Sequence, residues 1–210
     1  MPEPIYVQYG CGLSAPPGWR NFDASPTLRL QRLPVFGRLF LSGRLPRFPA
    51  AAEYGDILKG LPVQPGSVSG LYCSHVLEHL SLADFRVALR NSFALLRPGG
   101  IFRLVMPDLE ALVQAYRDSS DPAACSTFIV ESGLAADRRQ SGPIAFLRSW
   151  LGNSLHRSLW DYKGVAGELA NIGFIGIRRA AHGDSADTEF LEVEELERWQ
   201  GALGVECRKG

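Results

Sequence analysis

The chain has 210 residues, 46% of them hydrophobic, and 22 Lys+Arg balance 22 Asp+Glu to a net charge of zero. At roughly 100–200 residues per domain this is one domain with a packed core, too apolar to be disordered. It lacks the basic excess a dedicated nucleic-acid binder needs to neutralise phosphates.

No apolar run approaches the roughly 20 residues that span a bilayer. Met1-Pro2-Glu3-Pro4 lacks the basic start and apolar stretch of a signal peptide, so the expectation is a soluble cytoplasmic protein. Cys11, Cys73, Cys125 and Cys207 show no C-x-x-C spacing. That excludes a zinc ribbon and argues against a disulfide framework.

Ile5-Tyr6-Val7-Gln8-Tyr9 is short, β-rich and stopped by Gly10-Cys11-Gly12, the pattern of a buried strand. Trp19–Asp23 is a second strand. Residues 24–52 carry Arg29, Arg32, Arg38, Arg44 and Arg47, no acid, and prolines at 26, 34, 46 and 49. Helices there must be short, because proline starts or breaks them, and the stretch reads as an inserted basic flap. Its arginines among leucines and phenylalanines suit three roles. They are a flap paired to the chain's own acids, a clamp for an anionic substrate, or a peripheral contact with anionic lipid or lipid-linked glycan.

Regular structure resumes at Glu53–Ile57. Pro65-Gly66 marks a turn, and Gly70–Ser74 is a third strand. Leu82, Phe85, Leu89, Phe93 and Leu96 recur at helical spacing and end at Pro98-Gly99-Gly100. Ile101–Val105 follows as a strand, and Asp108 is placed to cap a helix over Leu109–Tyr116. Residues 117–160 read as an irregular helical cap containing Phe128, Ile144, Phe146, Trp150 and Trp160. Asp161 caps a helix to Asn171 that Gly173 stops. Phe174–Arg179 is a strand, Glu192–Trp199 a helix and Val205–Arg208 a last strand. Alternation of strands and helices predicts a three-layer α/β Rossmann-like fold with a mainly parallel sheet and an antiparallel last strand.

Ligands of open α/β sheets bind beyond the carboxyl ends of the strands, where Gly10-Cys11-Gly12 lies. Asp23 ends the next strand, where an acid can accept from both hydroxyls of a ribose. Asp23 lies only eleven positions after Gly12, against about twenty in dinucleotide folds. Pro16-Pro17-Gly18 leaves no room for a first helix on which a pyrophosphate could sit. The ligand is therefore expected to be a nucleoside without phosphate. Asp56 stands where it can either bond an adenine amino group or cap a short turn.

Tyr9-Gly10-Cys11-Gly12, Gly18-Trp19-Arg20-Asn21-Phe22-Asp23, Leu71-Tyr72-Cys73-Ser74-His75-Val76-Leu77-Glu78-His79-Leu80, Leu95-Leu96-Arg97-Pro98-Gly99-Gly100-Ile101-Phe102-Arg103 and Val105-Met106-Pro107-Asp108-Leu109-Glu110 occur in this order. The ordered set resembles the class I S-adenosylmethionine-dependent methyltransferases. It is most similar to a subgroup in which a short Trp-containing loop replaces the first helix. The resemblance implies S-adenosylmethionine as cofactor, with Tyr9, Gly10, Cys11 and Gly12 along its methionine portion and Asp23 on the ribose. Asp56 and Ile57 would meet the adenine, and Ser74 and His75 would lie beneath the sulfonium. Gln8 stands where many members carry an acid, and so brings no charge to the cofactor's ammonium. Ser14 replaces the usual third glycine. Cys11 and Cys73 are taken as packing residues near the cofactor.

His75-Val76-Leu77-Glu78-His79 also matches H-x-x-E-H, an inverted zinc-peptidase pattern. A zinc hydrolase would need a continuous helix presenting His75 and His79 on one face. The strand running straight into Ser74-His75 opposes this, and no metal is assigned. Within a methyltransferase, His75 and His79 are the expected candidates for removing a proton from the acceptor, with His156 as a third. The acceptor implied is a small molecule, a glycan or a lipid-linked compound, with no nucleic acid. A non-catalytic cofactor-binding or interaction module is the alternative.

Overall fold

The computed structural model describes residues 3–33, 47–135 and 155–210. Arg38, Arg44, Ile144, Phe146 and Trp150 lie outside these. Seven strands form one sheet: β1 (Ile5–Tyr9), β2 (Arg20–Asp23), β3 (Ala52–Tyr54), β4 (Val68–Ser74), β5 (Leu96–Pro107), β6 (Phe174–Ala180) and β7 (Ala202–Lys209), in the order β3-β2-β1-β4-β5-β7-β6. Pairing is parallel from β3 through β5, and β7 runs antiparallel to both neighbours. The last strand is thus antiparallel, as the closing order of helix, strand, helix, strand suggested. It is inserted between β5 and β6 rather than placed at the sheet's edge.

Six helices among the described residues accompany the sheet: α1 (Pro26–Gln31), α2 (Leu82–Leu95), α3 (Leu109–Asp118), α4 (Ala124–Glu131), α5 (Tyr162–Ile172) and α6 (Leu196–Trp199). Their ends follow local chemistry. Ser81, Asp108 and Asp161 each accept a main-chain N–H in the first turn of α2, α3 and α5, satisfying donors that have no partner within the helix. The helix expected over Glu192–Trp199 is instead a 3₁₀ turn (Thr188–Glu192) followed by the single turn of α6. Phe190, Val193 and Trp199 are buried while Leu191 and Leu196 are exposed, and Glu194 is drawn inward by Arg103. One straight helix could not meet those demands together.

On one sheet face, α2 and α5 bury Phe85, Leu89, Val165 and Leu169 against Val7, Leu71, Phe102 and Leu104. The other face is smaller and aromatic. Trp19 packs 5.2 Å from Tyr6 and 5.4 Å from Phe190, so the 10–19 connection closes this face where a helix would otherwise lie. Asn21 fixes the loop by donating to the carbonyls of Pro16 and Trp19. Trp160, expected within the helical cap, stacks on Phe85 at 4.3 Å and joins the main core.

The described ends of the basic flap sit on the sheet. Leu28 of α1, Phe48 and Ala52 pack around Cys11. Arg29 lies 4.9 Å over the Tyr54 ring, and Arg32 donates to the carbonyls of Ala50 and Ala52. These two arginines therefore hold the flap to the Tyr54 ring and to its own main chain. No described helix is long and apolar enough to cross a membrane.

Candidate functional site

β1 and β4 lie side by side with Tyr9 opposite Cys73, the adjacency that the resemblance to the class I methyltransferases implies for strands ending at Tyr9 and Ser74. Their carboxyl ends open into a cleft of about 480 Å³ whose walls include Tyr9, Gly10, Asp23, Asp56, Ile57, His75 and His79. Seven of the expected site residues are thus brought together. Cys11 and Ser74 line a narrow crevice just behind, with Gln8, Ser14, Tyr72 and Arg198.

The glycine turn is closed by side chains from below. Gln8 donates to the Ser14 carbonyl at 2.9 Å and to Asn21 Oδ1 at 2.5 Å. Its amide is committed to the turn and the Trp-containing loop, a task a carboxylate could not perform because it has no N–H. Gly10 has φ +68°, and a Cβ there would stand 2.0 Å from Val76 Cγ2. Only glycine lets the chain turn this tightly beside the β4 loop.

Asp23 accepts from Gly12 N at 3.0 Å and Ser25 N at 2.7 Å. These bonds tie the end of β2 to the glycine turn and start α1. A carboxylate offers about four lone-pair directions, so capacity remains for a ligand in the cleft. Asp56 Oδ1 accepts from Leu58 N at 3.0 Å, and its Oδ2 lies 3.3 Å from Lys59 Nζ. The turn-capping role is therefore present, and the residue also lines the cleft.

His75 is the one described non-glycine residue with positive φ, +53°. Such a conformation is uncommon and persists where the surroundings impose it. Its Nε2 lies 2.9 Å from the Arg198 carbonyl and its Nδ1 3.2 Å from Glu78 Oε1. A carbonyl only accepts, so Nε2 carries hydrogen. Burial alone would lower the His75 pKa, but the bonds to Glu78 and Arg198 outweigh it and the value is raised. Neither ring nitrogen has a lone pair left for a substrate proton while Glu78 is ionised.

His79 Nδ1 is 3.1 Å from the Leu155 carbonyl, which places hydrogen on Nδ1 and the lone pair on Nε2. His156 lies across from it, ring centroids 5.0 Å apart. The helix needed by the H-x-x-E-H reading is absent. Leu77–His79 is one 3₁₀ turn, and His75 points its imidazole toward Arg198 and Glu78.

Burial pushes the Cys11 thiol up to about 12, with Asp23 adding to it, and holds the Cys73 thiol above its usual value. Both are inert packing groups near neutral pH. Burial likewise pushes the Tyr72 phenol up to about 12. The Tyr72 hydroxyl and Ser74 Oγ are buried without partners among the described residues, and both line the crevice.

Arg198 was not foreseen from the sequence. It bonds the Ser74 carbonyl through Nη1 at 3.3 Å, and its own carbonyl holds His75. Nothing local marks it, because it arrives on the one-turn α6 more than a hundred residues downstream. A second cleft, of about 430 Å³, shares the His75 wall and is lined by Pro107, Asp108, Leu112, Glu131 and Gln200. It opens between β5, α3 and the β7 approach.

Residues 44–104 match the family model described as a methyltransferase domain. No curated protein matches the chain. Among solved structures, it is similar to a Thermotoga maritima S-adenosylmethionine-dependent methyltransferase described as a possible histamine N-methyltransferase. Identity is 12%, coverage is 100% of this chain and 84% of that one, and the TM-score is 0.52. A possible exported protein from Bordetella parapertussis is similar at 16% identity, over 99% of this chain and 62% of that one, with a TM-score of 0.50. At such identities the likeness speaks for the fold. The chain thus has the fold of the class I methyltransferases, with a methyltransferase-domain match across residues 44–104 of its own sequence.

Proposed function

We propose that the protein transfers a methyl group from S-adenosylmethionine to a small-molecule, glycan or lipid-linked acceptor. The observation that carries this reading is the placement of Asp23 beside the Gly10–Gly12 turn in a cleft at the carboxyl ends of β1, β2 and β4. The residues fit the cofactor. The cleft has a buried carboxylate for a ribose and a backbone turn that no side chain can enter. Ser74 Oγ and the Tyr72 hydroxyl are unpartnered behind that turn.

Bound there, the cofactor supplies an electrophilic sulfonium methyl group. Asp23 holds the sugar, Asp56 and Ile57 flank the base, and Gly10, Gly12 and Ser74 follow the amino-acid portion. The protein's remaining tasks are to align an acceptor and exclude water. The second cleft, walled off by His75, is the acceptor side of this reading. His75, with both nitrogens engaged, is a positioning residue that fixes the β4 loop against α6. His79, with Nε2 carrying a lone pair and its ring in the wall of the first cleft, is the histidine that can take a proton from an acceptor reaching into that cleft.

Asp23→Ala is expected to weaken binding of S-adenosylhomocysteine by about 1–3 kcal/mol, the value of hydrogen bonds to a charged group and of groups left unpaired. Isothermal titration of variant and wild type reads this directly, with the melting temperature reporting fold. Unchanged affinity would remove Asp23 from the site.

A further inference from the structure

The 3₁₀ turn after β4 gathers three ligand-type side chains that no step above uses together. One ligating atom each of Glu78, His79 and His156 lies within 4.8 Å of the other two. Glu78 is 1% exposed, and its Oε2 has no partner among the described residues. A buried carboxylate oxygen left unpaired is costly, and its presence asks for a compensating group.

The surroundings are built for a cation. His75 Nδ1 holds Glu78 Oε1 at 3.2 Å, leaving Oε2 as the ligand atom. His79 Nδ1 faces the Leu155 carbonyl at 3.1 Å, and His156 Nδ1 faces the Ser132 carbonyl at 2.7 Å. In both rings the hydrogen is thereby fixed on Nδ1 and the lone pair on Nε2. Metal-binding histidines are oriented this way by outer-shell acceptors.

The segment bearing His156 is also clamped to the turn. The Glu78 carbonyl accepts from Arg157 N at 2.8 Å and Ser158 N at 3.1 Å, and His156 N donates to the Gly133 carbonyl at 2.9 Å. Gly133 has φ +69°, and a Cβ on it would stand 2.2 Å from His156 Nδ1. The imidazole occupies space that only glycine leaves open.

We propose that Glu78, His79 and His156 bind one divalent first-row transition cation at the edge of the cleft. Two imidazoles and one carboxylate favour such an ion over magnesium or calcium, which prefer all-oxygen sets. Donor atoms bound at ordinary zinc distances stand about 3.4 Å apart, and one ligand-type atom of each side chain already lies within 4.8 Å of the other two. His79 lines the cleft, so an open coordination position would face the chamber where ligands enter. His79 Nε2 then serves as a ligand in place of a proton acceptor. The site stands on these residues and does not depend on which cofactor the cleft takes.

The test uses the full chain, stripped with a chelator and titrated with Zn²⁺, Co²⁺ and Mg²⁺ by calorimetry, with Co²⁺ absorption as a geometric readout. The expected result is one Zn²⁺ or Co²⁺ per chain, held more tightly than Mg²⁺. His79→Asn and His156→Asn should each weaken it by more than about 100-fold, above the 10–100-fold cost of losing an outer-shell partner. His182→Asn, outside the cluster, should bind as wild type. His156→Asn spares the buried Glu78, and the melting temperature of its metal-free form shows whether it folds. No stoichiometric ion in the wild type, wild-type affinity in a folded His156→Asn protein, or Mg²⁺ bound as tightly as Zn²⁺ would each overturn the assignment. Titration of the same samples with S-adenosylhomocysteine separates failure of this site from failure of the cofactor reading.

Discussion

Arg103→Met is expected to destabilise the protein by about 3–5 kcal/mol, the cost of breaking a buried ion pair by removing one partner. Arg103 sits on β5 with a fully buried side chain. It donates to Glu194 Oε1 at 2.6 Å, Glu206 Oε2 at 2.7 Å, Asp184 Oδ1 at 3.0 Å and the Ala181 carbonyl at 3.0 Å. Its guanidinium also lies 5.0 Å from the Trp199 ring. One side chain thereby fastens β7, the β6–α6 connection and α6 to the sheet. Methionine fills similar volume but leaves the buried Glu194 without its guanidinium partner, and Asp184 and Glu206 with Arg178 alone. Equilibrium urea unfolding at neutral pH measures the loss. A midpoint shift within experimental error would show that the network contributes nothing net.

The same network sets a pH dependence. Burial alone would raise the Asp184 and Glu206 carboxyls. The Asp184 bonds to Arg178, Ala181 N and Arg103, and the Glu206 bonds led by Arg103, outweigh burial and hold both below their ordinary values of 3.8 and 4.5. A carboxylate depressed in the folded state adds stability above its unfolded pKa and loses it as pH falls toward the folded value. Wild-type stability should therefore fall with acidification below those ordinary values. The deficit of Arg103→Met should narrow over the same range, because its carboxylates, left with Arg178 alone, gain less from ionisation. The functional consequence follows through α6. When α6 loosens, the Arg198 carbonyl no longer holds His75, and the wall between the two clefts loses its anchor.

Gly10→Ala is expected to reduce S-adenosylhomocysteine affinity by about 100-fold or more while the protein still folds. An L-residue in the left-handed region costs roughly 1–2 kcal/mol. The added methyl, 2.0 Å from Val76 Cγ2, brings overpacking of about 1–3 kcal/mol. The loop must relieve this by moving, and it moves where Gly12 N meets Asp23. Val76→Ala in the same chain removes the clashing atom but not the strained φ, so the double variant should recover affinity in part. Titration of both variants beside wild type decides it. Wild-type affinity in Gly10→Ala would place the ligand elsewhere.

Much of this architecture is legible locally. Strands stopped by glycine, the caps Asp108 and Asp161 and the helical spacing from Leu82 all act within a few residues, so β1, β4, α2, α3 and α5 follow from sequence. That the strands ending at Tyr9 and Ser74 are neighbours is implied by the resemblance to the class I methyltransferases, not by any local signal. What is hidden depends on distant partners. Arg103 reads as an ordinary strand residue because Asp184, Glu194 and Glu206 lie 81, 91 and 103 positions away. The break within Glu192–Trp199 follows from that same burial of Glu194. Insertion of β7 between β5 and β6 leaves no local mark either.

The candidate site divides similarly. The glycine turn, Asp23, Asp56 and His75 could be placed beforehand, because each ends a strand or opens the loop after it. Arg198 could not, nor could the joining of His156 to Glu78 and His79, which requires the 155–158 segment to fold back onto the 3₁₀ turn. His75 shows how a motif residue can be located without its chemistry. Sequence puts it at the cleft, but only the positions of Glu78 and Arg198 reveal that both nitrogens are occupied.

The central claim is that the cleft at the ends of β1, β2 and β4 is a nucleoside site for S-adenosylmethionine. Calorimetric titration of the wild-type protein with S-adenosylmethionine and S-adenosylhomocysteine tests it most directly. The account predicts saturable one-to-one binding of both in the micromolar range. Absence of binding at millimolar ligand would contradict it, leaving a methyltransferase fold whose cleft serves another partner.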